Sequence, residues 1–172
     1  VEILNEESSA IGGIVGIIST GKILDCSNFG DVSTEGRHCG GIMGVTHTEE
    51  GCYAGVERCV NTGNISGYDR IGGIAGKLGG HIKKCYNEGQ ITGTSEDIGG
   101  ICGQLETTNG GTICNTYNKG KVIGGTKVGG IIGAVYTNTK EANINNNYSV
   151  GIIEIQGAVE YVGGTIGVIS TS

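Results

Sequence analysis

The chain has 172 residues, of which 37% are hydrophobic, and is long enough to form one domain with a buried core. Its formal net charge of -6, with no basic cluster beyond Lys83-Lys84, argues against binding to nucleic acid or to an anionic membrane through bulk electrostatics. Glycine is abundant at 36 residues while proline is absent, which excludes collagen and proline-rich linkers, and no apolar run approaches the ~20 residues of a membrane span.

A glycine pattern recurs six times along the chain. It first appears as Ile11-Gly12-Gly13-Ile14-Val15-Gly16, and the leading glycines of successive copies are 28, 32, 27, 30 and 34 residues apart. Self-similarity at this period is typical of a solenoid. Because the copies run from end to end without a linker, we expect a single domain over residues 1–172. The incomplete repeats at both ends predict that it is a slice of a longer array.

A second pattern follows each of the first five copies. It begins as residues 23–32, with aliphatic residues at its first and tenth positions and glycine at its eighth. Each unit of about 30 residues holds three short apolar segments and no run of helix formers. The sequence therefore predicts an all-β fold, a parallel β-solenoid in the form of a right-handed β-helix, with about five coils and three short strands per coil. Gly, Asn and Asp mark the breaks between strands, where we expect left-handed corner residues.

Stacked coils turn sequence positions into columns of neighbouring side chains. Two positions of the second pattern are predicted to point inward, as a cysteine-rich column and an asparagine ladder: Cys26, Cys59, Cys85, Thr116 and Asn147, then Asn28, Asn61, Asn87, Asn118 and Ser149. The position between them alternates to the outside. It places Tyr86, Tyr117 and Tyr148 in an exposed row, which we predict to be a binding surface for sugar rings or for a neighbouring module.

The spacers between the two patterns differ from coil to coil. They are five segments that all fall at the same point of the repeat: residues 17–22, 45–55, 77–81, 104–112 and 134–143. The longer spacers should therefore emerge along one edge. Such an edge is often a binding face in repeat proteins, although surface loops also tolerate insertions at little cost.

Seven cysteines leave at least one thiol unpaired. Those at core positions, such as Cys39 and Cys102, are interpreted as small buried hydrophobes, while a disulfide between neighbouring ladder cysteines stays open. The one conceivable metal cluster comprises His38, Cys39, His47 and Cys52. It lacks a Cys-x-x-Cys or His-x-x-x-His pair, and Cys39 stands in a core column, so neither a metal site nor a cofactor is predicted.

His81 stands alone in the sequence and is expected at the surface. Two acidic groups are interpreted as solvated loops: Glu49 and Glu50 with Glu57, and Glu96 with Asp97. A glycosidase needs two carboxyl groups held across a cleft, which sequence adjacency does not provide. No catalytic residue is predicted.

The repeated Gly-Gly-Ile-x-Gly, followed by Cys85-Tyr86-Asn87 and then Gly89 and Ile91, resembles the GLUG repeat of bacterial surface proteins. That motif occurs beside the catalytic domains of immunoglobulin A metalloproteases and in adhesin-like proteins. The resemblance implies an extracellular protein, secreted or attached to the cell wall, and carries over no catalytic residue.

We accordingly expect a non-catalytic repeat module that serves as a rigid spacer or an adhesive segment. Its partners would be a host protein or glycan, or neighbouring domains of its parent chain. The alternative is a carbohydrate-active β-helix enzyme or an ancillary domain of a surface protease.

Overall fold

The computed structural model describes residues 2–3, 10–47, 49–158 and 160–171. These residues form 28 short β-strands and contain no helix, so none of them belongs to a membrane-spanning helix. Every strand pairs in parallel with its counterpart one coil away. The result is a β-solenoid of about five turns with about 31 residues per turn, which confirms the predicted parallel solenoid.

Each coil contains five strands, in five sheets, and not the three strands predicted. Sheet I contains β2 (Ile11–Gly12), β7 (Cys39–Gly40), β12 (Ile71–Gly72), β17 (Glu96–Gly99), β22 (Thr126–Gly129) and β27 (Val162–Gly163). Sheet II contains β3 (Val15–Ile18), β8 (Met43–Thr46), β13 (Ala75–Leu78), β18 (Cys102–Glu106), β23 (Ile132–Thr137) and β28 (Ile166–Thr171). Sheet III contains β4 (Thr20–Leu24), β9 (Tyr53–Glu57), β14 (Gly80–Lys83), β19 (Gly111–Cys114) and β24 (Ala142–Asn145).

The second pattern is divided between the two remaining sheets. Sheet IV contains β5 (Ser27–Asn28), β10 (Val60–Asn61), β15 (Tyr86–Asn87), β20 (Tyr117–Asn118) and β25 (Tyr148–Ser149). Sheet V contains β1 (Glu2–Ile3), β6 (Val32–Thr34), β11 (Ile65–Gly67), β16 (Ile91–Gly93), β21 (Val122–Gly124) and β26 (Ile153–Ile155). Coil 1 runs from β2 to β6, and coils 2 to 5 follow in steps of five strands.

Two columns of corner residues have left-handed backbone angles, with φ between 52° and 59°. They are Asp25, Arg58, Lys84, Asn115 and Asn146 before sheet IV, and His38, Arg70, Asp97 and Lys127 at sheet I. The expectation of Gly, Asn or Asp at corners holds for Asp25, Asp97, Asn115 and Asn146 and is wrong for the other five, His38, Arg58, Arg70, Lys84 and Lys127. This conformation costs roughly 1 kcal/mol for an L-residue. Backbone bonding to the next coil offsets that cost, since Arg58 N–H donates to the Lys83 carbonyl at 3.0 Å.

The interior consists of two apolar clusters. One joins sheets I and V and includes Ile71 and Ile91, and the other lies behind sheets II and III and includes Ile74 and Ile82. Along the sequence, the ladder asparagines (Asn28, Asn61, Asn87 and Asn118) lie between residues of one cluster and residues of the other, and so do the second glycines of the Gly-Gly pairs. The boundary between the two clusters is therefore formed by asparagine side chains on one side and by glycine backbone on the other.

The predicted asparagine ladder is confirmed. Asn28 donates to Asn61, Asn61 to Asn87, and Asn87 to Asn118, with Nδ2 to Oδ1 distances of 2.7, 2.7 and 2.8 Å. Each of these amides also donates to a glycine carbonyl two residues further along its own coil. The ladder thus satisfies buried polar groups that a tight bend would otherwise leave unpaired.

The Gly-Gly pair faces this ladder. A Cβ atom at Gly73 would collide with the Asn87 side chain and with the carbonyl oxygen of Gly100 in the next coil. The same relation recurs along the column, which consists of Gly13, Gly41, Gly73, Gly100 and Gly130. Glycine is required here because the backbone and the ladder approach each other closely.

The cysteine column also lies where the sequence predicts. Cys59 and Cys85 are buried, and the Sγ atom of each accepts a hydrogen bond at 3.4 Å from the backbone N–H of the cysteine one coil earlier. All seven cysteines are free thiols. Burial raises the pKa of Cys39 to about 12 and also raises that of Cys102, so both behave as core residues.

Candidate functional site

The three tyrosines predicted to bind a partner stand in register on sheet IV and form what we call the tyrosine ladder. The ring centroids of Tyr86 and Tyr117 are 4.8 Å apart with 5° between the planes, and those of Tyr117 and Tyr148 are 5.3 Å apart with 12°. These distances are close to the ~4.8 Å strand spacing. The stacking therefore follows directly from in-register pairing.

Stacking limits what the tyrosine ladder can offer to a ligand. Both faces of Tyr117 lie against neighbouring rings, so the ladder presents mainly ring edges and hydroxyl groups. Burial raises the pKa of Tyr117, which keeps its hydroxyl protonated as a hydrogen-bond donor. Lys119 Nζ lies 5.3 Å from the Tyr117 ring centroid and also pairs with Glu88 at 3.0 Å, which adds charge beside the rings. Partner binding by these residues stays a prediction.

The long spacers emerge along one edge, between sheets II and III, as predicted. Asn109 in coil 4 accepts a hydrogen bond from Gly51 N–H at 3.1 Å and donates to the Glu49 carbonyl at 2.7 Å, both in coil 2. Asn109 thereby spans the short spacer of coil 3. We call the linked spacers, residues 49–52, 107–110 and 138–141, the loop ridge.

The third part of the loop ridge belongs to coil 5. Asn138 N–H donates to Thr107 Oγ1 at 3.0 Å, and the Thr139 hydroxyl donates to the Thr108 carbonyl at 2.6 Å. Three spacers of different length are therefore joined by side-chain hydrogen bonds into one continuous surface.

His81 is not the surface residue that the sequence predicts, because it is only 5% exposed. It lies on sheet III over Gly55 of the preceding coil, where any side chain would collide with the imidazole. Its Nε2 is 2.8 Å from the Glu57 carboxylate, and its ring contacts Tyr53 with centroids 5.4 Å apart. Among the described residues, nothing hydrogen-bonds to its Nδ1.

The first acidic group is split by the fold. Glu57 accepts hydrogen bonds from Lys22 at 2.9 Å and from His81, and these bonds lower the pKa of Glu57 to about 2. Glu49 and Glu50 are exposed on the loop ridge. Glu57 is thus held as an ion-paired carboxylate, since both of its partners stabilise the charged form.

The second acidic group, Glu96 and Asp97, also cannot present both of its carboxylates to a substrate. Asp97 is 1% exposed, and burial raises its pKa to about 6. Lys127 lies beside both acids, with its Nζ 3.8 Å from Asp97 Oδ1, and the Tyr136 hydroxyl donates to the same oxygen at 3.4 Å. The other Asp97 oxygen has no hydrogen-bond partner in the described part of the chain.

Within the described ranges, no group of three or more His, Cys, Asp or Glu residues is placed to hold a metal ion. In the cluster considered from the sequence, Cys39 is fully buried in the core and His38 occupies a left-handed corner. Cys39 therefore belongs to the core packing at the start of coil 2, and His38 belongs to the corner that ends coil 1.

A groove that sequence reasoning missed lies at the corner between sheets V and I. It has a volume of about 570 Å³ and crosses coils 1 to 3. We call it the corner groove, lined chiefly by Thr34, Glu35, Arg37, Ser66, Tyr68 and Thr92. One signal could have found it. Counted up to the in-register residues Cys39, Ile71 and Ile98, the corner has four residues in coil 1 (35–38) and in coil 3 (94–97, the last two already in β17), but three in coil 2 (68–70).

A second cavity, of about 830 Å³, lies at coil 5 beside the loop ridge. Its lining includes Ile144 and Ile166, which belong to inward columns and pack on the core. This cavity is therefore a half-covered part of the interior, in contrast to the corner groove, which lies outside the sheets.

The model of the GLUG motif matches residues 7–33. This range contains both patterns of coil 1, from the first Gly-Gly pair to Val32. No curated protein matches the chain, and no solved structure does. The match confirms the resemblance to the GLUG motif for residues 7–33, and the in-register pairing places the equivalent residues of the next coil directly beside them.

Proposed function

We propose that this chain, a β-solenoid repeat module with a GLUG motif at residues 7–33, is a non-catalytic part of a secreted or cell-surface bacterial protein. It would hold neighbouring domains apart as a rigid spacer and carry an adhesive surface for a host protein or glycan. The observation that carries the proposal is the asparagine ladder, which runs without a break from Asn28 to Asn118.

Rigidity follows from the way the coils are joined. Each coil bonds to the next through all five sheets, and the asparagine amides add a hydrogen-bonded chain within a buried interior. Bending the solenoid would separate buried donors and acceptors, which costs about 1–3 kcal/mol for each group left unpaired. At ~4.8 Å per coil, five coils give a stiff element on the order of 24 Å long.

The adhesive role is supported by two outer surfaces, the loop ridge and the tyrosine ladder, in which Tyr148 is exposed and Tyr86 and Tyr117 are half-buried. The tyrosine ladder presents hydroxyl groups and ring edges, and the loop ridge presents amide and hydroxyl side chains such as Asn138 and Thr139. Tyrosine is well suited to interfaces, since it supplies a large apolar area and one polar handle.

Location can be tested with an antibody raised against the domain. We expect it to label intact cells of the organism that encodes the chain as strongly as permeabilised cells. Labelling that requires permeabilisation would contradict a surface location.

Adhesion can be tested by applying the domain to glycan arrays and to immobilised host-matrix proteins. The Tyr86→Ala, Tyr117→Ala, Tyr148→Ala triple variant should lose binding. Tyr161→Ala is the matched control, because Tyr161 is 49% exposed and lies outside the ladder. Unchanged binding by the triple variant would remove the tyrosine ladder from the proposal.

A second candidate, a carbohydrate-active β-helix, is favoured by one observation. Such an enzyme requires two acids, or an acid with a basic residue, in one groove, and the corner groove holds Glu35 and Arg37. Release of reducing ends from polysaccharide substrates, abolished by Glu35→Gln, would establish this activity. No release by the parent domain would favour the non-catalytic role.

A further inference from the structure

We infer that the corner groove binds a short neutral oligosaccharide, with two or three sugar units lying along the solenoid axis. The inference rests on the ligand-binding half of the proposed function but uses a surface separate from the tyrosine ladder. It follows from how the groove is formed, which groups line it and how their charges balance.

The groove results from unequal corners in neighbouring coils. Glu35 and Thr94 belong to the four-residue corners of coils 1 and 3, which flank the shorter corner of coil 2 that carries Tyr68. Tyr68 is held from both sides. Its N–H donates to the Gly36 carbonyl at 3.0 Å, and its carbonyl accepts from Ser95 N–H at 2.8 Å. The ring therefore projects from a fixed backbone, which lowers the entropy cost of binding.

The hydroxyl groups of sheet V match the chemistry of sugars. Ser66 donates to Ser33 Oγ at 3.0 Å, and Thr92 Oγ1 accepts from Gln90 Nε2 at 3.3 Å. A hydroxyl that accepts such a bond keeps its own proton for donation. Thr92, which lines the groove, thus remains able to donate to a ligand, and the Ser66 oxygen remains able to accept, as sugar hydroxyls can both donate and accept.

Tyr68 supplies the apolar component that a sugar site needs. Its side chain is substantially exposed, at 45% for the residue, beside the hydroxyl-lined floor. A pyranose ring carries C–H groups on one face, which pack against an aromatic ring, while its hydroxyls point to the rim. In contrast to Tyr117 in the tyrosine ladder, Tyr68 forms no ring stack with another described tyrosine.

The charges around the groove cancel, which favours a neutral ligand. Asp69 is 4% exposed and lies 3.6 Å from Arg37 Nε and 3.2 Å from a terminal nitrogen of Arg70. Glu35 is exposed at the groove and offsets the remaining positive charge. An anionic sugar would gain no net attraction, whereas Glu35 and Arg37 can each form paired hydrogen bonds with adjacent hydroxyls.

The size of the groove is consistent with this ligand. Its volume of about 570 Å³ lies within the range of small-ligand sites. The groove extends over three coils spaced ~4.8 Å apart, and this spacing is close to the length of one pyranose unit. On the sheet V side of the groove, successive sugars would therefore meet side chains paired in register, such as Ser66 and Thr92.

The test is a titration of the ¹⁵N-labelled domain followed by two-dimensional NMR. The probes are maltotriose, cellotriose and mannotriose, with tri-galacturonate as the anionic comparison, at concentrations up to ~5 mM. At least one neutral probe should shift the amide signals of Tyr68 and of residues 92–94 in a saturable way. Tyr68→Ala should weaken binding at least tenfold, whereas the control Tyr161→Ala should bind like the parent.

Each outcome bears on the inference. It is overturned if no neutral probe shifts these signals, if tri-galacturonate alone binds, or if Tyr68→Ala binds like the parent. The triple variant of the tyrosine ladder distinguishes the ladder from the corner groove. If this variant still binds a neutral probe in the groove, the inference is supported even when its binding to glycan arrays is lost. Shifts confined to the tyrosine ladder would support the proposed adhesive surface and refute the groove.

Discussion

Replacing Asn87 by alanine tests whether the asparagine ladder stabilises the solenoid. Asn87 lies in the middle coil and is fully buried. It donates to the Gly89 carbonyl and to Asn118 Oδ1, each at 2.8 Å, and accepts from Asn61 Nδ2 at 2.7 Å. The substitution removes all three bonds and leaves a polar space that alanine cannot fill.

The size of the effect can be worked out bond by bond. Asn61 retains its bond to the Gly63 carbonyl, and Asn118 Oδ1 retains the bond from Gly120 N–H at 3.1 Å. Three lost bonds at about 1 kcal/mol each predict a loss of about 3 kcal/mol in the free energy of unfolding. Asn87→Asp should cost more, because a carboxylate cannot donate to the two oxygens that it would face.

Asn28→Ala is the matched control, since Asn28 is 8% exposed and makes two hydrogen bonds, one to Asn61 and one to the Gly30 carbonyl. It should lose no more than about 2 kcal/mol. Unfolding in urea, followed by circular dichroism, gives the midpoints from which these differences are read. An Asn87→Ala protein within about 0.5 kcal/mol of the parent, or an equal loss at Asn28, would refute the reasoning.

Three further predictions concern the core, the glycine column and pH. Ile74→Asp and Ile91→Asp each bury an unpaired charge and should unfold the domain or cost several kcal/mol; a thermal melt like that of the parent would contradict the core assignment. Gly100→Ala should lower the melting temperature strongly, because the added methyl group would collide with the backbone of the next coil. Gly164→Ala is the control and should melt like the parent, because Gly164 lies in the same column with open space around it. Equal melting temperatures of the two variants would contradict the close approach of Gly100 to the next coil. Burial raises the pKa of Asp97 from 3.8 to about 6, so the folded state binds this proton more tightly than the unfolded state, and the parent should lose stability as the pH rises from about 4 to about 6. Asp97→Asn should lack this loss and be more stable than the parent at pH 7. Parallel pH–stability curves for the two proteins would contradict the raised pKa of Asp97.

Features that repeat from coil to coil could be predicted from the sequence. In-register parallel pairing makes residues of one sequence column neighbours in space, so the spacing of Asn61 and Asn87 was sufficient to predict their hydrogen bond. The same reasoning predicts the inward cysteines and the row that contains Tyr86 and Tyr117.

Features that depend on differences between coils could not be predicted in this way. His81 is buried because Gly55, one coil earlier, has no side chain and leaves room for the imidazole. The corner groove depends on a one-residue difference in corner length around Tyr68. Neither feature alters the repeated pattern from which the coils were recognised.

The number of strands was underestimated for a local reason. Strands such as β5 and β15 are only two residues long, which is too short to leave an alternating pattern. The bends around them involve left-handed residues such as Arg58 and Lys84, whose side chains give no sequence signal for that backbone conformation.

The hydrogen bond between Asn109 and Glu49 has a consequence for how such an array can change its length during evolution. The strand pairings of the described residues join adjacent coils, so a duplicated or deleted repeat can still pair with its new neighbours. Asn109 instead reaches across one intervening repeat. Adding or removing a repeat between these two loops would displace it by ~4.8 Å and break the bond. The bond between Asn109 and Glu49 therefore forms only in an array that has a single repeat between these two loops.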